Sequence, residues 1–559
     1  MEIDTIVRKY VLQNAVRYEG KADPGRIMSK VLGENPDLRS NAKEITQKIK
    51  AAVKKVNAMS LDKQRAELEK IAPEFLEEKS TRREGLKELP GAQQGKVVMR
   101  FEPSPSGPLH IGHAYVLSLN YEYAKKYNGK FILRISDTNP DNIDIMAYEQ
   151  IPQDARWLCD NDNFDVLIQS DRMEIYYKYA LQLIQHGCAY VCTCKVELVR
   201  ELLAKSEACQ CRNFPATEHV KRWHKMNSGY AQGEAVVRFK TDIGHKNPAM
   251  RDFSILRINE TEHPRQGRKY RVWPLMNFAV AIDDMETGVT HTLRGKDHAD
   301  NALRQKFMHE ALGYKTPEPI SVGRINFEGF EVSCSKTREK IEAGSYNGWD
   351  DIRIPFIPAL RCRGYNPIAF RKYAMDVGVT RNDKSVTMEE FFKTVNAFNK
   401  QLIDSVSERY YFVKDPIMVT VENAPEMTVE LDLHPDNKKG GRVLHTRGTF
   451  YLDADDELKD GKAYRLLELF NFKIRKGKLI FTSTKYDKAA KDTINVHWVC
   501  DDDPINVEIT MPDGTTVKGR GEKWLNDVSV DQVVQFERFG FVRCDSITQQ
   551  KMTFWFLHK

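Results

Sequence analysis

Two histidines, His110 and His113, stand three residues apart in the run Pro103-Ser104-Pro105-Ser106-Gly107-Pro108-Leu109-His110-Ile111-Gly112-His113. Imidazoles at that spacing can both donate to phosphate oxygens as charge develops on them. Gly107 and Gly112 let backbone come close to a ligand. A helix beginning here would add free N–H groups and its positive dipole end, which suits an anion. Elsewhere, Cys192-Thr193-Cys194 and Cys209-Gln210-Cys211 form two close pairs with 14 residues between them. Four thiolates can close a tetrahedral zinc site, with His219 in reach if a ligand is exchanged; free thiols are the other reading of these pairs. No partner base is in evidence, which argues against a nucleophilic cysteine.

The elements that must position these groups follow from pattern. Val97-Val98-Met99-Arg100-Phe101 reads as a buried strand entering the Pro/Gly-rich turn. A helical pattern covers about Ala114 to Tyr127, and Phe131-Ile132-Leu133-Arg134-Ile135 reads as a second strand. Strand, turn, helix, strand is the unit of a doubly wound parallel sheet, whose ligands lie at the carboxyl ends of its strands. Further strands are expected at Phe278-Ala279-Val280-Ala281-Ile282 and near Ile320-Ser321-Val322. Ahead of this unit, Ile49, Ala52, Val53 and Val56 line one helix face. Leu89-Pro90-Gly91-Ala92-Gln93-Gln94-Gly95 reads as a linker. Beyond about residue 415 the pattern alternates, as in Ile417/Val419/Val421, Val429/Leu431/Leu433 and Val507/Ile509. Turn signals at Lys438-Lys439-Gly440-Gly441 and Pro512-Asp513-Gly514 separate these strands.

Bulk properties bound the class. The chain has 559 residues, enough for roughly four domains at about 150 each. It is 41% hydrophobic and 29% charged, with a mean hydropathy of −0.55, which excludes wholesale disorder. There is no membrane-length apolar run, and the start lacks a signal-peptide layout, so a cytoplasmic protein is expected. Ten cysteines in this length do not make a disulfide scaffold. The formal net charge of +6 neither requires nor forbids a nucleic-acid partner. Residues 438–491, however, carry 14 basic against 7 acidic side chains inside a region (416–559) that holds 21 basic and 23 acidic.

The run from Arg100 to His113 resembles the first signature of the class I aminoacyl-tRNA synthetases, in the form used by the glutamyl/glutaminyl branch. Val332-Ser333-Cys334-Ser335-Lys336-Thr337 resembles their second signature loop. Ser335-Lys336 match its most informative pair, while Ser333 stands for the first lysine and Cys334 for the methionine. Arg134-Ile135-Ser136-Asp137-Thr138-Asn139-Pro140 looks like the branch motif in which Asp137 holds the α-amino group. In Thr290-His291-Thr292-Leu293-Arg294-Gly295-Lys296-Asp297, Arg294 stands where glutamyl members carry arginine and glutaminyl members usually carry cysteine. Arg100 matches a second arginine facing the amino acid. Which arginine reads the side-chain carboxylate and which the α-carboxylate is open at this stage. Met276 stands where the family usually has tyrosine.

The resemblance implies a Rossmann-type α/β catalytic domain with an inserted acceptor-binding domain, a helical N-terminal extension and C-terminal β-barrels. The expected divisions are 1–95 for the extension, 96–190 and 271–330 for the two catalytic halves and 191–270 for the insertion. Residues 331–415 would hold the signature loop and connecting helices, and 416–559 the anticodon-binding region. It implies an archaeal-type glutamyl member that forms glutamyl-adenylate from L-glutamate and ATP, with Mg2+, and passes the acyl group to tRNA(Glu). Charging of tRNA(Gln) as well stays open, and a monomer is expected. His110, His113 and Lys336 would be catalytic. Pro103 to Ala114, Arg324, Ser335 and Lys336 would hold ATP. Arg100, Ser104, Asp137, Met276 and Arg294 would hold glutamate. Cys192, Cys194, Cys209 and Cys211 would hold zinc in a knuckle that supports the tRNA acceptor end. The rival readings are a glutaminyl-tRNA synthetase, a non-catalytic tRNA-binding paralogue and a small-molecule nucleotidyltransferase with the same turn.

Overall fold

Alternate burial along the first helices explains the N-terminal part of the computed structural model. It describes residues 3–17, 20–28, 31–32, 42–72, 75, 85–161, 163–329, 331–486 and 493–559. The chain divides into two units, Met1–Gly85 and Leu86–Lys559. In the first, helices Ile3–Arg17, Ala42–Asn57 and Leu61–Ile71 bury one face each. Ile49, Val53 and Val56 join Val7, Val11 and Leu68 in its core, with Ala52 packed at the margin.

The second unit starts with β1 (Val98–Phe101), followed by α1 (Ile111–Lys126), β2 (Lys130–Ile135) and β3 (Asp165–Ile168). β1 pairs in parallel with β2, with Arg100 opposite Ile132, and β2 pairs in parallel with β3. Parallel neighbours need a crossover, and α1 supplies it between β1 and β2. After the insertion come α2 (Met276–Glu286), β4 (His291–Gly295), α3 (Ala299–Ala311), β5 (Glu318–Val322) and α4 (Cys334–Glu342). β4 and β5 are a parallel pair. The Thr290 N–H donates to the Val98 carbonyl at 3.1 Å, and Val98 N–H to Thr290 Oγ1 at 2.9 Å, which sets β4 beside β1.

The expected strand over Phe278–Ile282 is instead the middle of α2. All five residues are buried, so the helix has no polar face to print a 3.6-residue period. The insertion is a four-stranded antiparallel sheet of Ala189–Cys192, Val236–Phe239, Ser254–Ile258 and Val272–Pro274. Helices Val196–Ala204 and Ala216–Met226 belong to the same segment.

Among the described residues, the C-terminal region holds two seven-stranded sheets and a hairpin. Pro512-Asp513-Gly514 does separate Ile505–Thr510 from Thr516–Gly521. Lys438-Lys439-Gly440-Gly441, expected as a turn, lies in the strand Asn437–Thr446; the turn is at Pro435-Asp436. Gly440 and Gly441 take φ of +63° and +108°, a distortion inside a strand rather than a reversal of it. Of the basic segment 438–491, residues 487–491 lie outside the described residues. Among the described residues no helix is long and apolar enough to cross a membrane.

Candidate active site

The loop from Glu102 to His110 carries the chain from the end of β1 into α1 and is tied down on both sides. Leu109 N–H donates to Asp154 Oδ2 at 3.0 Å, and the Leu109 carbonyl accepts from Ile357 at 2.8 Å. Burial lifts the Asp154 carboxyl to about 7. Gly107 has φ of +147°, and a Cβ there would lie 3.3 Å from both Cys334 and Trp349.

His110 is the N-cap of α1. Its Nδ1 accepts from the backbone of Gly112 at 3.1 Å and of His113 at 3.4 Å. Ile111 N–H is taken by the Pro355 carbonyl at 3.1 Å, and Ala114 N–H by the His110 carbonyl at 2.9 Å. The expectation of free N–H groups at this helix start is therefore corrected: the cap satisfies them internally. What faces outward is imidazole. With Nδ1 accepting, the neutral His110 ring carries its proton on Nε2. The two rings stack with centroids 3.8 Å apart. A Cβ at Gly112 would sit 3.0 Å from His110 Cε1, so glycine makes room for the cap. Burial holds His110 well below the ordinary imidazole range, aided by His113, and burial holds His113 at about 4. Both are neutral hydrogen-bond donors at pH 7.

Beside this turn is a cleft of about 360 Å³, within the size range of small-molecule sites. Arg100, Pro103, Ser104, His113, Met276 and Arg294 all line it, together with Glu102, Ser136, Val280 and His298. Its floor is a buried ion network. Arg100 is bidentate on Asp284, Nε to Oδ1 at 3.0 Å and Nη2 to Oδ2 at 3.3 Å. Arg134 Nη1 meets the same Oδ1 at 2.8 Å and Glu102 at 3.3 Å. Asp283 receives Arg172 at 2.7 Å, Tyr176 at 2.7 Å and Gln169 at 2.9 Å, and lies 3.8 Å from Arg134 Nε. Arg100, Arg134 and Arg172 thus balance Glu102, Asp283 and Asp284. Burial alone would raise the Asp284 carboxyl, but Arg100 and Arg134 hold it far below the carboxylate range.

Arg294 lies beside that balance, close enough to feel the charges of Arg100, Asp284 and Glu102. Its Nη2 donates to the Gln305 amide oxygen at 2.6 Å. Burial, together with the nearby Arg100, pushes its guanidinium down to about 10.

Other expected residues lie elsewhere. Asp137 is not in the cleft wall: it is 1% exposed, accepting from Ser170 N–H and Tyr148 OH, each at 2.7 Å. His263 Nε2 is 3.5 Å from its carboxylate. Ser335 and Lys336 sit exposed in the first turn of α4, and Lys336 Nζ is 3.4 Å from Glu331. Arg324 is exposed, with its backbone N–H on Asp383 at 2.8 Å. The second loop is nonetheless tied to the first. Arg338 donates to the Ser106 carbonyl at 2.5 Å and to Asp144 at 2.9 Å, while Cys334 packs on Gly107.

In the insertion, Sγ atoms of Cys192, Cys194, Cys209 and Cys211 all lie within 4.8 Å of one another. Cys192–Cys209 is 3.8 Å and Cys194–Cys211 3.7 Å. Thiolates at about 2.3 Å around a tetrahedral ion are about 3.8 Å apart, so the donor set fits zinc. Hydrogen bonds from Cys192 and Tyr190 pull the Cys209 thiol down to about 5, and Arg222 Nη1 is 3.5 Å from Cys211 Sγ. His219 instead accepts the Val191 N–H at 3.3 Å.

Asp284, Glu102, His298, Gln305 and Arg338 are absent from the site residues expected from sequence. The one available signal was Asp283-Asp284 closing a wholly apolar run, since two acids there must be paired when buried.

Residues 96–405 match the family described as tRNA synthetases class I (E and Q), catalytic domain. Residues 407–487 and 495–545 match two anti-codon binding domains of the same class. A glutamate–tRNA ligase of Pyrococcus abyssi is 46% identical, with both chains covered in full. Those of Thermococcus kodakarensis and Methanothermobacter thermautotrophicus are 45% and 43% identical over the whole of each chain.

Replacing Asp284 with Asn leaves Arg100 and Arg134 without their shared counter-charge. It should cost about 3–5 kcal/mol in urea unfolding at pH 7. Because the folded Asp284 carboxyl is depressed, its contribution is present above the unfolded carboxylate range near about 4 and is lost as pH falls below it. The gap between wild type and Asp284→Asn should therefore narrow on acidification.

Proposed function

The chain belongs to the class I tRNA synthetases of the E and Q type, and on that premise we infer how its cleft attaches glutamate to tRNA at the expense of ATP. Its full-length relatives are glutamate–tRNA ligases, and its reaction is theirs. The observation that carries the glutamate assignment is Arg294, a cleft cation to which, among the described residues, no carboxylate is hydrogen-bonded. A carboxylate completes such a group, whereas the uncharged amide of glutamine leaves it unpaired. Arg100 is already matched by Asp284, so we assign the side-chain carboxylate of glutamate to Arg294.

The reaction has two steps. An oxygen of the glutamate α-carboxylate attacks the α-phosphorus of ATP, the bond to the β-phosphate breaks, and pyrophosphate leaves glutamyl-adenylate. The terminal ribose hydroxyl of tRNA then attacks the acyl carbon and AMP departs. No residue of the chain becomes covalently bound. Catalysis is positioning and charge stabilisation. ATP enters as its Mg2+ complex, which lowers the charge of the phosphates.

Neutral His110 and His113 offer N–H donors to phosphate oxygens without carrying a charge of their own. Ser104, exposed in the cleft, supplies a hydroxyl. Lys336 reaches the pyrophosphate by exchanging Glu331 for it, a swing of its exposed side chain from the first turn of α4. Asp137 acts from behind the wall, fixing Tyr148 and the turn at Ser170, with the α-amino group left to other cleft oxygens. The four-cysteine set holds zinc, which shapes the segment that meets the tRNA acceptor end. The described part of the basic stretch, 438–486, lies against tRNA phosphates. Comparing purified tRNA(Glu) and tRNA(Gln) as acceptors decides the breadth of charging.

His113→Ala should lower the glutamate-charging rate at least a hundredfold while tRNA affinity changes less than twofold. Unchanged charging would remove His113 from the chemistry. Metal analysis of the purified protein should find about one zinc per chain, lost in Cys192→Ser together with thermal stability. No bound metal in either form ends the zinc assignment.

A further inference from the structure

The amide partner of Arg294 is itself held by a chain of hydrogen bonds. Gln305, on α3, is 3% exposed, and its Nε2 donates to Asn277 Oδ1 at 3.1 Å. Asn277 Nδ2 donates to Asn301 Oδ1 at 3.0 Å, and Asn301 Nδ2 lies 3.1 Å from Nδ1 of His298. Arg304 Nη1 adds a second donor to Asn301 Oδ1 at 3.3 Å. Each amide thereby has one orientation that pairs donors with acceptors. Donation runs one way, from Arg294 through three amides to His298. Both ends of the chain line the cleft. With its Nδ1 accepting, His298 presents Nε2–H, and burial keeps the ring below the ordinary imidazole range.

We propose that Gln305, with Asn277 and Asn301 behind it, is a positioning residue for substrate selection: the neutral amide chain fixes the Arg294 guanidinium without cancelling its charge. This rests on the reading of Arg294 as the group that meets the side-chain carboxylate. The contrast with the cleft floor carries the argument. There, every buried guanidinium meets a carboxylate; a carboxylate at position 305 would do the same to Arg294, forming a charge-assisted bond that the substrate must break. An amide oxygen aligns the fork yet leaves its positive potential directed at the cleft, where an anionic side chain relieves it and an uncharged one does not. Asp297, beside His298 at 3.7 Å, is 80% exposed and so is screened by water.

The test measures tRNA charging with glutamate and with glutamine for wild type, Gln305→Glu, Gln305→Met and Arg294→Cys. Gln305→Glu should raise the glutamate KM at least tenfold with the ATP KM within twofold. It should also lower the glutamate-over-glutamine ratio of kcat/KM at least tenfold. Gln305→Met, which adds no charge, should raise the glutamate KM less and keep the ratio within threefold of wild type. If both variants shift glutamate and ATP KM alike and leave the ratio unmoved, Gln305 only packs and the proposal is overturned. Should Gln305→Glu fail to fold, Asn277→Ser breaks the chain one link on; a rise of about fivefold in glutamate KM alone supports the proposal, and an equal rise for ATP refutes it. Arg294→Cys separates the levels. If that variant keeps the wild-type ratio, the underlying reading of Arg294 fails and the proposal goes with it. If it collapses the ratio while Gln305→Glu does not, the proposal alone is wrong.

Discussion

Asp284, buried between Arg100 on β1 and Arg134 on β2, is the contact on which the cleft depends. Two guanidinium groups side by side under a sheet would repel, and neither could reach water to be screened. One carboxylate from the last turn of α2 meets both, so the helix is pinned against the strands at the level of the cleft. With Glu102 and Asp283 completing the balance, the floor is rigid and its cations are already matched. Charge is then left over in the wall at Arg294, and we assign the anionic side chain of the substrate to that place.

The two ends of the cleft are built on opposite electrostatic principles. At the signature turn, His110 spends its Nδ1 on capping α1, and burial keeps both imidazoles neutral. The His110 donor is thus fixed in direction, and neither imidazole competes as a buried charge. At the far end, Arg294 keeps a full charge and is aligned by an amide. On our assignment the weakly polar side at the histidines places ATP and the strongly polar side at Arg294 chooses glutamate. The tie from Arg338 to Ser106 keeps the second loop registered on the first while Lys336 stays outside, paired with Glu331.

Much of this was legible in the chain. The turn from Pro103 to His113 announced a ligand site because glycines, imidazoles and a strand-to-helix switch coincide there. Arg294, singled out by its motif, does line the cleft, and the cysteine pairs, one residue apart, do fold to within metal-binding distance of each other. What was hidden follows from burial. A helix apolar on all sides prints no period, so Phe278–Ile282 reads as strand. The capped N–H groups depend on a ring torsion that no spacing encodes. Asp137 carries a motif, yet its carboxylate turns inward because Ser170 N–H and Tyr148 OH outbid the cleft for it. Gln305 has no signature, being one amide among many until the fold sets it beside a guanidinium.

The most direct test of the account is the structure of the protein bound to tRNA and a non-hydrolysable analogue of glutamyl-adenylate. The glutamate side-chain carboxylate should lie about 3 Å from the Arg294 guanidinium, with Gln305 still on Arg294 and Asp284 still bidentate on Arg100. A side-chain carboxylate seated on Arg100, with Asp284 displaced and Arg294 left without an anion, would contradict it.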